Sequence, residues 1–186
     1  LCELQAEVFY CHGRLEKAAM LDEILNTCKP THIVIGPGPD EPNISPLSME
    51  IARRGLNGKC PPLLGICLGH QAIGVAAGLN LSRCPSGAVH GRACKILHDG
   101  QGIFRAFSSS LSMARYNSLS LEEEDSPLLI TARDEHNNIM AIRHPELPVV
   151  GIQFHPESCA SVLGVELLSS FLQDSAHITI ESEYIN

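Results

Sequence analysis

Hydrophobic runs and amphipathic stretches alternate along the first half of the chain. Short apolar runs bounded by turn residues predict buried strands, which fall at 8–11, 32–35 and 63–66. Between these runs, apolar residues recur at helical spacing and predict helices, at 15–28, 47–56 and 70–77. Because strand and helix alternate, the pattern indicates an α/β fold with a parallel sheet that helices cover on both faces.

The pattern changes after residue 90. Short strands separated by turn residues predict antiparallel hairpins, with strands at 93–97, 112–116, 128–132 and 139–143 and turns at Asp99-Gly100 and Asn137-Asn138. The chain then returns to an apolar strand and a closing helix, at 149–154 and 161–172. We therefore expect one domain at 1–173 with an antiparallel hairpin insertion, followed by a polar tail at 174–186.

Composition narrows the possible partners and compartments. The 186 residues are 44% hydrophobic, which is enough for one core. A net charge of −8 argues against nucleic acid as a partner. The eight cysteines include no Cys-x-x-Cys pair, which favours reduced thiols in the cytoplasm. No apolar stretch approaches the ~20 residues of a membrane helix, so we expect a soluble protein without a membrane partner.

Cys67 lies between Gly65 and Gly69, where an apolar strand gives way to a helix. At such a turn the glycines remove the side chains that would clash, so we expect the cysteine to point outward rather than pack. The start of the following helix directs N–H groups and a positive dipole end at the sulfur, which favours thiolate over thiol. The pattern indicates a nucleophile, and a small core cysteine is the alternative.

His155 follows the apolar strand 149–154, at the end of a strand where α/β enzymes place chemistry. A histidine there can take the thiol proton, and Glu157, two residues later, can hold the ring in one tautomer. The tripeptide His-Pro-Glu alone is more typical of a turn. Because Cys67 also follows a strand, the two side chains can meet at one edge of a parallel sheet.

The loop at 36–42 is too rich in glycine and proline to continue the strand before it. Such a loop can present a backbone N–H to an oxyanion, and each well-placed donor contributes roughly 3–4 kcal/mol in an acyl-transfer site. The candidate donors are the N–H groups of Gly38 and Leu68. Without Cys67 nearby, an ordinary surface turn would be the simpler interpretation.

Four segments together resemble one enzyme family: 65–71 (Gly-Ile-Cys-Leu-Gly-His-Gln), 155–158 (His-Pro-Glu-Ser), the loop at 36–42, and 115–119 (Arg-Tyr-Asn-Ser-Leu). With them the chain is similar to the class I, triad-type glutamine amidotransferases. It resembles most the chorismate-using subgroup, component II of anthranilate synthase or its counterpart in aminodeoxychorismate (para-aminobenzoate) synthase. The resemblance implies a flavodoxin-like α/β fold, with a parallel sheet flanked by helices.

The resemblance also implies hydrolysis of glutamine to glutamate and ammonia. By position, Cys67 is the nucleophile that forms a γ-glutamyl thioester, His155 the general base and then acid, and Glu157 the residue that orients His155. The remaining family positions contact glutamine, and in this chain they are Gly38, Pro39, Asp40, Gln71, Ser118 and Leu119. Without the resemblance, Gln71 would be a polar helix residue, and Ser118 and Leu119 a strand edge.

The family further implies a partner. A chorismate-binding synthase subunit would form a hetero-oligomer with this chain and consume its ammonia, in tryptophan or folate biosynthesis. Family practice places the contact around 90–92 (His-Gly-Arg). No cofactor is expected in this chain, and magnesium is expected in the partner.

The chain departs from the family pattern at three places. Asp40 stands where the loop usually has glycine, and aspartate tolerates the positive φ that such a position can require. Asn117 replaces a histidine, a minor change if the local contacts are made by the backbone. The family's first strand is absent before Leu1, so we expect a fragment of a longer chain.

Two alternative functions stand beside that of a glutaminase. One is an inactive truncated interaction module, and the other is a stand-alone γ-glutamyl hydrolase of the same fold.

Overall fold

A computed structural model describes residues 1–13 and 18–174. The strands are β1 (Ile33–Ile35), β2 (Leu63–Ile66), β3 (Leu81–Arg83), β4 (Val89–His98), β5 (Ser110–Asn117), β6 (Leu119–Leu121), β7 (Leu129–Asp134), β8 (Ile139–Arg143) and β9 (Val149–Ile152). The helices are α1 (Leu21–Cys28), α2 (Pro46–Leu56), α3 (Leu68–Ala76) and α4 (Gly164–Asp174), with short 3-10 turns at Cys2–Leu4, Ala18–Met20, Pro42–Ile44 and Gly102–Phe104.

One sheet carries both halves of the predicted architecture. Its seven strands run in the order β1-β2-β9-β8-β7-β4-β5. β1, β2 and β9 are parallel, whereas β8, β7, β4 and β5 are joined by antiparallel pairs. The predicted α/β fold with an antiparallel insertion is therefore confirmed. A second sheet, formed by β3 and β6, was not predicted, since its strands have only three residues each.

Helices cover both faces of the sheet because successive strand residues point to opposite sides. Leu63 belongs to a core cluster with residues of α2 and α3, whereas Leu64 belongs to a second cluster with residues of α4. All four residues of β2 and of β9 are buried, as is typical of strands covered on both faces. These two interior strands lead directly into the candidate site.

The predicted strand at 8–11 is wrong. These residues form no strand, and Tyr10 is 83% exposed. An apolar run forms a strand only where a neighbour takes its backbone hydrogen bonds, and no described strand pairs with this segment. The predicted helices also shift at their starts. The α-helix expected at 15–28 begins at Leu21, with residues 15–17 outside the described ranges, and the one expected at 161–172 begins at Gly164.

The last predicted strand ends earlier than expected, and most of the predicted tail lies outside the described residues. The strand expected at 149–154 ends at Ile152, so Gln153 and Phe154 belong to the connection that leads to His155. Residues 175–186, most of the expected polar tail, lie outside the described ranges. Among the residues that are described, no helix is both long and apolar enough to cross a bilayer.

Candidate active site

Cys67 lies in the turn between β2 and α3. Its backbone adopts φ 53° and ψ −99°, which is unusual for a residue with a side chain and costs about 1–3 kcal/mol. The turn is held at both sides. The Cys67 N–H donates to the Ile152 carbonyl at 2.9 Å, and the Cys67 carbonyl accepts from the Gln71 N–H at 3.1 Å. The thiol is therefore held in a strained position at the carboxyl ends of β2 and β9.

The two glycines that flank Cys67 are required by backbone contacts. A Cβ on Gly65 would lie 2.4 Å from the backbone of Gly69, and a Cβ on Gly69 would lie 2.2 Å from the Ile35 carbonyl oxygen. The predicted reason for the glycines is confirmed. The expectation that Cys67 points outward is wrong, because the residue is only 7% exposed. Its thiol is covered by neighbouring groups rather than by bulk water.

His155 is held in place by its own backbone and by a neighbouring ring. Its N–H donates to the Ala114 carbonyl at 2.9 Å, and its carbonyl accepts from the Ser161 hydroxyl at 2.6 Å. The ring of Tyr116 packs edge-on against the imidazole, with 4.9 Å between ring centroids. The Tyr116 hydroxyl lies 3.2 Å from Oγ of Ser158, so the aromatic ring is itself anchored. The imidazole therefore has little freedom to turn away.

Glu157 determines the tautomer of His155. Nδ1 of the ring lies 2.7 Å from Oε1 of the carboxylate, so Nδ1 carries a hydrogen and Nε2 is the nitrogen that can exchange a proton. Burial disfavours the charged ring, but hydrogen bonds and charge interactions with Cys67 and Glu157 outweigh burial and raise the pKa of His155 to about 9. Of these two residues, Cys67 raises the pKa more. Nε2 nevertheless forms no hydrogen bond of good geometry with any described residue.

Glu157 responds to the same contact. Burial, the largest single effect, would raise the pKa of its carboxyl. The hydrogen bond from His155, a hydrogen bond with the Glu157 backbone and the charge of the imidazolium together outweigh burial and lower that pKa below its usual value. The imidazole and the carboxylate therefore stabilise each other's charged forms. This arrangement can accept a proton from a thiol and hold it as an imidazolium.

The two candidate oxyanion donors lie on segments that touch. A Cβ on Gly38 would lie 3.5 Å from Cδ2 of Leu68, so the loop packs directly on the start of α3. The N–H of Leu68 belongs to the first turn of the helix, where no intrahelical acceptor exists. Asp40, in the same loop, adopts φ 66°, the left-handed conformation that aspartate tolerates better than most residues.

Gln71 contacts the segment that follows β5. Its Nε2 donates to the Leu119 carbonyl at 3.3 Å and to Oε1 of Gln153 at 3.1 Å. Both amide hydrogens are thus used, which leaves Oε1 as the atom that can accept from a substrate. The Ser118 carbonyl is occupied by the Cys84 N–H at 2.9 Å. The structure thereby brings Gln71 and Leu119 together and orients the amide between them.

This arrangement supplies a thiol, an oriented base and backbone donors, the parts that acyl transfer requires. In the described part of the chain, no group of three or more His, Cys, Asp or Glu side chains is placed to hold a metal ion. A family model for class I glutamine amidotransferases matches residues 2–175. The chain belongs to this family.

Relatives of this amidotransferase carry the names of two synthases. The chain is 39% identical over 173 residues to aminodeoxychorismate synthase component 2 of Escherichia coli, covering 92% of this chain and 89% of the relative. It is 37% identical over 187 residues to anthranilate synthase component 2 of Pseudomonas aeruginosa, covering 95% and 88%. It is 42% identical over 145 residues to the bifunctional protein TrpGD of Thermotoga maritima, covering 77% of this chain and only 24% of that longer relative.

A solved structure supports the fold of the amidotransferase. A glutamine amidotransferase from Thermotoga maritima matches with a TM-score of 0.60 at 18% identity, covering 83% of this chain and 74% of that one. At this identity the similarity concerns the fold. The sheet and its flanking helices are thus those of an established amidotransferase architecture.

Two residues that hold the amidotransferase site together were not among the sequence candidates. Gln153 is completely buried, and its polarity within an otherwise apolar run was the available signal. Asn117 was treated as a minor departure because the glutamine contacts of its segment were expected to be backbone ones. Its side chain donates to the Leu119 carbonyl at 2.9 Å and accepts from Nε of Arg115 at 3.1 Å, so it has a role within the protein that this expectation did not include.

Proposed function

We propose that this amidotransferase hydrolyses glutamine and supplies the released ammonia to a chorismate-binding synthase subunit. The observation that carries the proposal is the His155–Glu157 contact of 2.7 Å, which leaves Nε2 available for a proton from Cys67. The raised pKa of His155, about 9, reflects the same interactions with Cys67 and Glu157, which outweigh the opposite effect of burial. These interactions stabilise the imidazolium that forms when His155 takes the proton of the nucleophile.

In the first half of the reaction, Cys67 gives its proton to Nε2 of His155 and its sulfur bonds to the carboxamide carbon of glutamine. The N–H groups of Gly38 and Leu68 donate to the oxygen on which negative charge develops, each contributing roughly 3–4 kcal/mol. The C–N bond then breaks as His155 returns the proton to the leaving nitrogen. Ammonia departs, and a γ-glutamyl thioester on Cys67 remains.

In the second half, water replaces ammonia. His155 takes a proton from the water as the oxygen bonds to the thioester carbon. The C–S bond breaks, the proton returns to the sulfur, and glutamate leaves. Side chains and backbone groups of this chain supply every step, so we include no cofactor in this chain. Magnesium, which the family resemblance implies, is assigned to the partner.

The remaining family positions would recognise the substrate. Oε1 of Gln71 can accept from the substrate, since both of its amide hydrogens are already used. Pro39 and Asp40 would line the carboxamide end, and Ser118 and Leu119 would offer backbone groups to the other end. The pathway depends on the partner, because the relatives' names include both anthranilate and aminodeoxychorismate synthases.

A diazoketone analogue of glutamine tests the nucleophile. We expect peptide mapping to find the label on Cys67, with Cys159→Ser as a control that removes an exposed thiol and leaves labelling unchanged. The Cys67→Ser variant should lose glutaminase activity. Label on another cysteine, or glutamine turnover by Cys67→Ser, would contradict the proposal.

The partner is tested by adding each of the two synthase subunits in turn. We expect one of them, with chorismate, to raise glutamine turnover strongly, because complex formation completes the catalytic geometry. The Cys67→Ser complex should still form product from added ammonium, since free ammonia bypasses this chain. Equal turnover with and without either synthase would point instead to a stand-alone hydrolase.

A further inference from the structure

A buried ion pair lies behind the glutamine-contact segment. Arg115 and Asp134 form it, and both side chains are 1% exposed. Arg115 also directs Nε to Oδ1 of Asn117 at 3.1 Å and Nη2 to the sulfur of Cys84 at 3.7 Å. None of these groups takes part in the proposed reaction steps. The guanidinium is thus held from three directions.

Asp134 is immobilised by the turn between β7 and β8. Its Oδ1 accepts from the N–H groups of His136 at 3.0 Å and of Asn138 at 2.8 Å. Its Oδ2 accepts from Nδ2 of Asn138 at 2.8 Å, in addition to Arg115. A carboxylate with this many partners cannot rotate without breaking several bonds. It therefore holds Arg115 in one orientation.

Arg115 in turn fixes which way the Asn117 amide faces. Because a guanidinium only donates, Asn117 must turn its oxygen towards Arg115 and its nitrogen away. That nitrogen donates to the Leu119 carbonyl at 2.9 Å, and the same carbonyl accepts from Nε2 of Gln71 at 3.3 Å. Each hydrogen bond between Asp134 and Gln71 in this network therefore has a fixed donor and a fixed acceptor.

We propose that Asn117, oriented by the buried Arg115–Asp134 pair, is a positioning residue that acts through the Leu119 carbonyl to place Gln71 for glutamine binding. The inference rests on the proposed function. A buried ion pair adds little net stability compared with apolar residues of similar volume, so its consequence here is a fixed geometry. Its effect should appear in substrate binding, because Asn117 does not touch the reacting groups.

The Asn117→Asp variant tests this role. It keeps the volume and the oxygen that faces Arg115, but it places a second oxygen against the Leu119 carbonyl. The variant loses one hydrogen bond, and two acceptor oxygens then face each other. We therefore expect KM for glutamine to rise about tenfold or more, while kcat changes less than about twofold. The matched control is Asn57→Asp, the same chemical change on an exposed residue whose Nδ2 likewise donates to a backbone carbonyl, that of Arg53, and it should leave KM unchanged. A merely structural role would lower the melting temperature without this separation of KM from kcat.

A conservative variant provides the rescue. In Asn117→His, a neutral ring can accept from Arg115 with one nitrogen and donate to Leu119 with the other, so KM should return to within about twofold of the parent value. If Asn117→Asp fails to fold, the uncharged Asn117→Leu takes its place, with the same expected rise in KM.

The possible failures are distinguishable. A parent chain that does not hydrolyse glutamine with either synthase overturns the proposed function. A parent that is active, beside a folded Asn117→Asp or Asn117→Leu with unchanged KM, overturns this inference alone. Alkylation of Cys67 by iodoacetamide should proceed at the parent rate in the variants, and a slower rate would show that the change had reached the catalytic turn instead.

Discussion

Nδ1 of His155 lies 2.7 Å from Oε1 of Glu157, and this contact leaves Nε2 as the nitrogen that can exchange a proton. The two residues are separated by one proline in the sequence, so the pair forms locally. Its position opposite Cys67 comes from β2 and β9, which lie side by side in the sheet. The contact therefore joins a local motif to a long-range arrangement.

Replacing Glu157 with glutamine should weaken catalysis. The amide keeps the size of the carboxylate but not its charge, so the pKa of His155 should fall from about 9 towards its ordinary value. We expect kcat/KM to drop by about tenfold or more, because the imidazolium loses its counter-charge. An NMR titration of His155 beside a glutaminase assay measures both effects. An unchanged titration midpoint would contradict the assigned orientation.

The interactions of His155 with Cys67 and Glu157 should contribute to stability in a defined pH window. The pKa of His155 rises from 6.5 to about 9 on folding, so the native state holds this proton more tightly than the unfolded state. The contribution is fully present below about pH 6.5 and is lost as the pH rises through 9. Urea unfolding at several pH values should show this loss, and in His155→Gln it should be smaller. Equal slopes for the two proteins would contradict the shift.

The burial of His70 predicts a second dependence of stability on pH, with the opposite sign. The ring is completely buried in α3, and burial lowers its pKa to about 4, partly opposed by the Gly151 backbone. Neither ring nitrogen meets strict hydrogen-bond geometry with a described residue. Because the unfolded state binds the proton more tightly, stability should fall as the pH drops from 6.5 towards 4, by about 3 kcal/mol in total.

Denaturant unfolding between pH 4 and 7 tests the His70 prediction. The His70→Leu variant removes the titrating ring while keeping an apolar side chain at the position. Its free energy of unfolding should depend less on pH over this interval than that of the parent chain. A parallel pH dependence would mean that other groups account for acid destabilisation.

The catalytic turn should not tolerate alanine at Gly69. A Cβ there would lie 2.2 Å from the carbonyl oxygen of Ile35, so a strand or the helix must move. We expect a loss of about 1–3 kcal/mol or more in the free energy of unfolding, with slower alkylation of Cys67. Gly36→Ala is the control for stability, since a Cβ at that position meets nothing within 4 Å. Equal stability of the two variants would contradict the packing described for the turn.

Local patterns in the sequence were sufficient for the main architecture and for the choice of candidates. Glycines on both sides of Cys67 predicted a tight strand-to-helix turn, and the alternation of apolar strands with helices predicted the sheet. These features depend on neighbours within a few residues, where steric limits and periodicity act directly. The pairing of His155 with Glu157 is local in the same sense.

Tertiary structure decided what depends on distant neighbours. The apolar run at 8–11 forms no strand, because strand formation needs a partner that composition does not reveal. Cys67 is buried rather than outward, and it belongs to a core cluster with residues distant in sequence, such as Phe104 and Phe154. The link from Asp134 through Arg115 and Asn117 to Gln71 joins residues that only the folded sheet brings together. A hydrogen bond is directional and short, so its partners are settled by the fold and not by the spacing of residues along the chain.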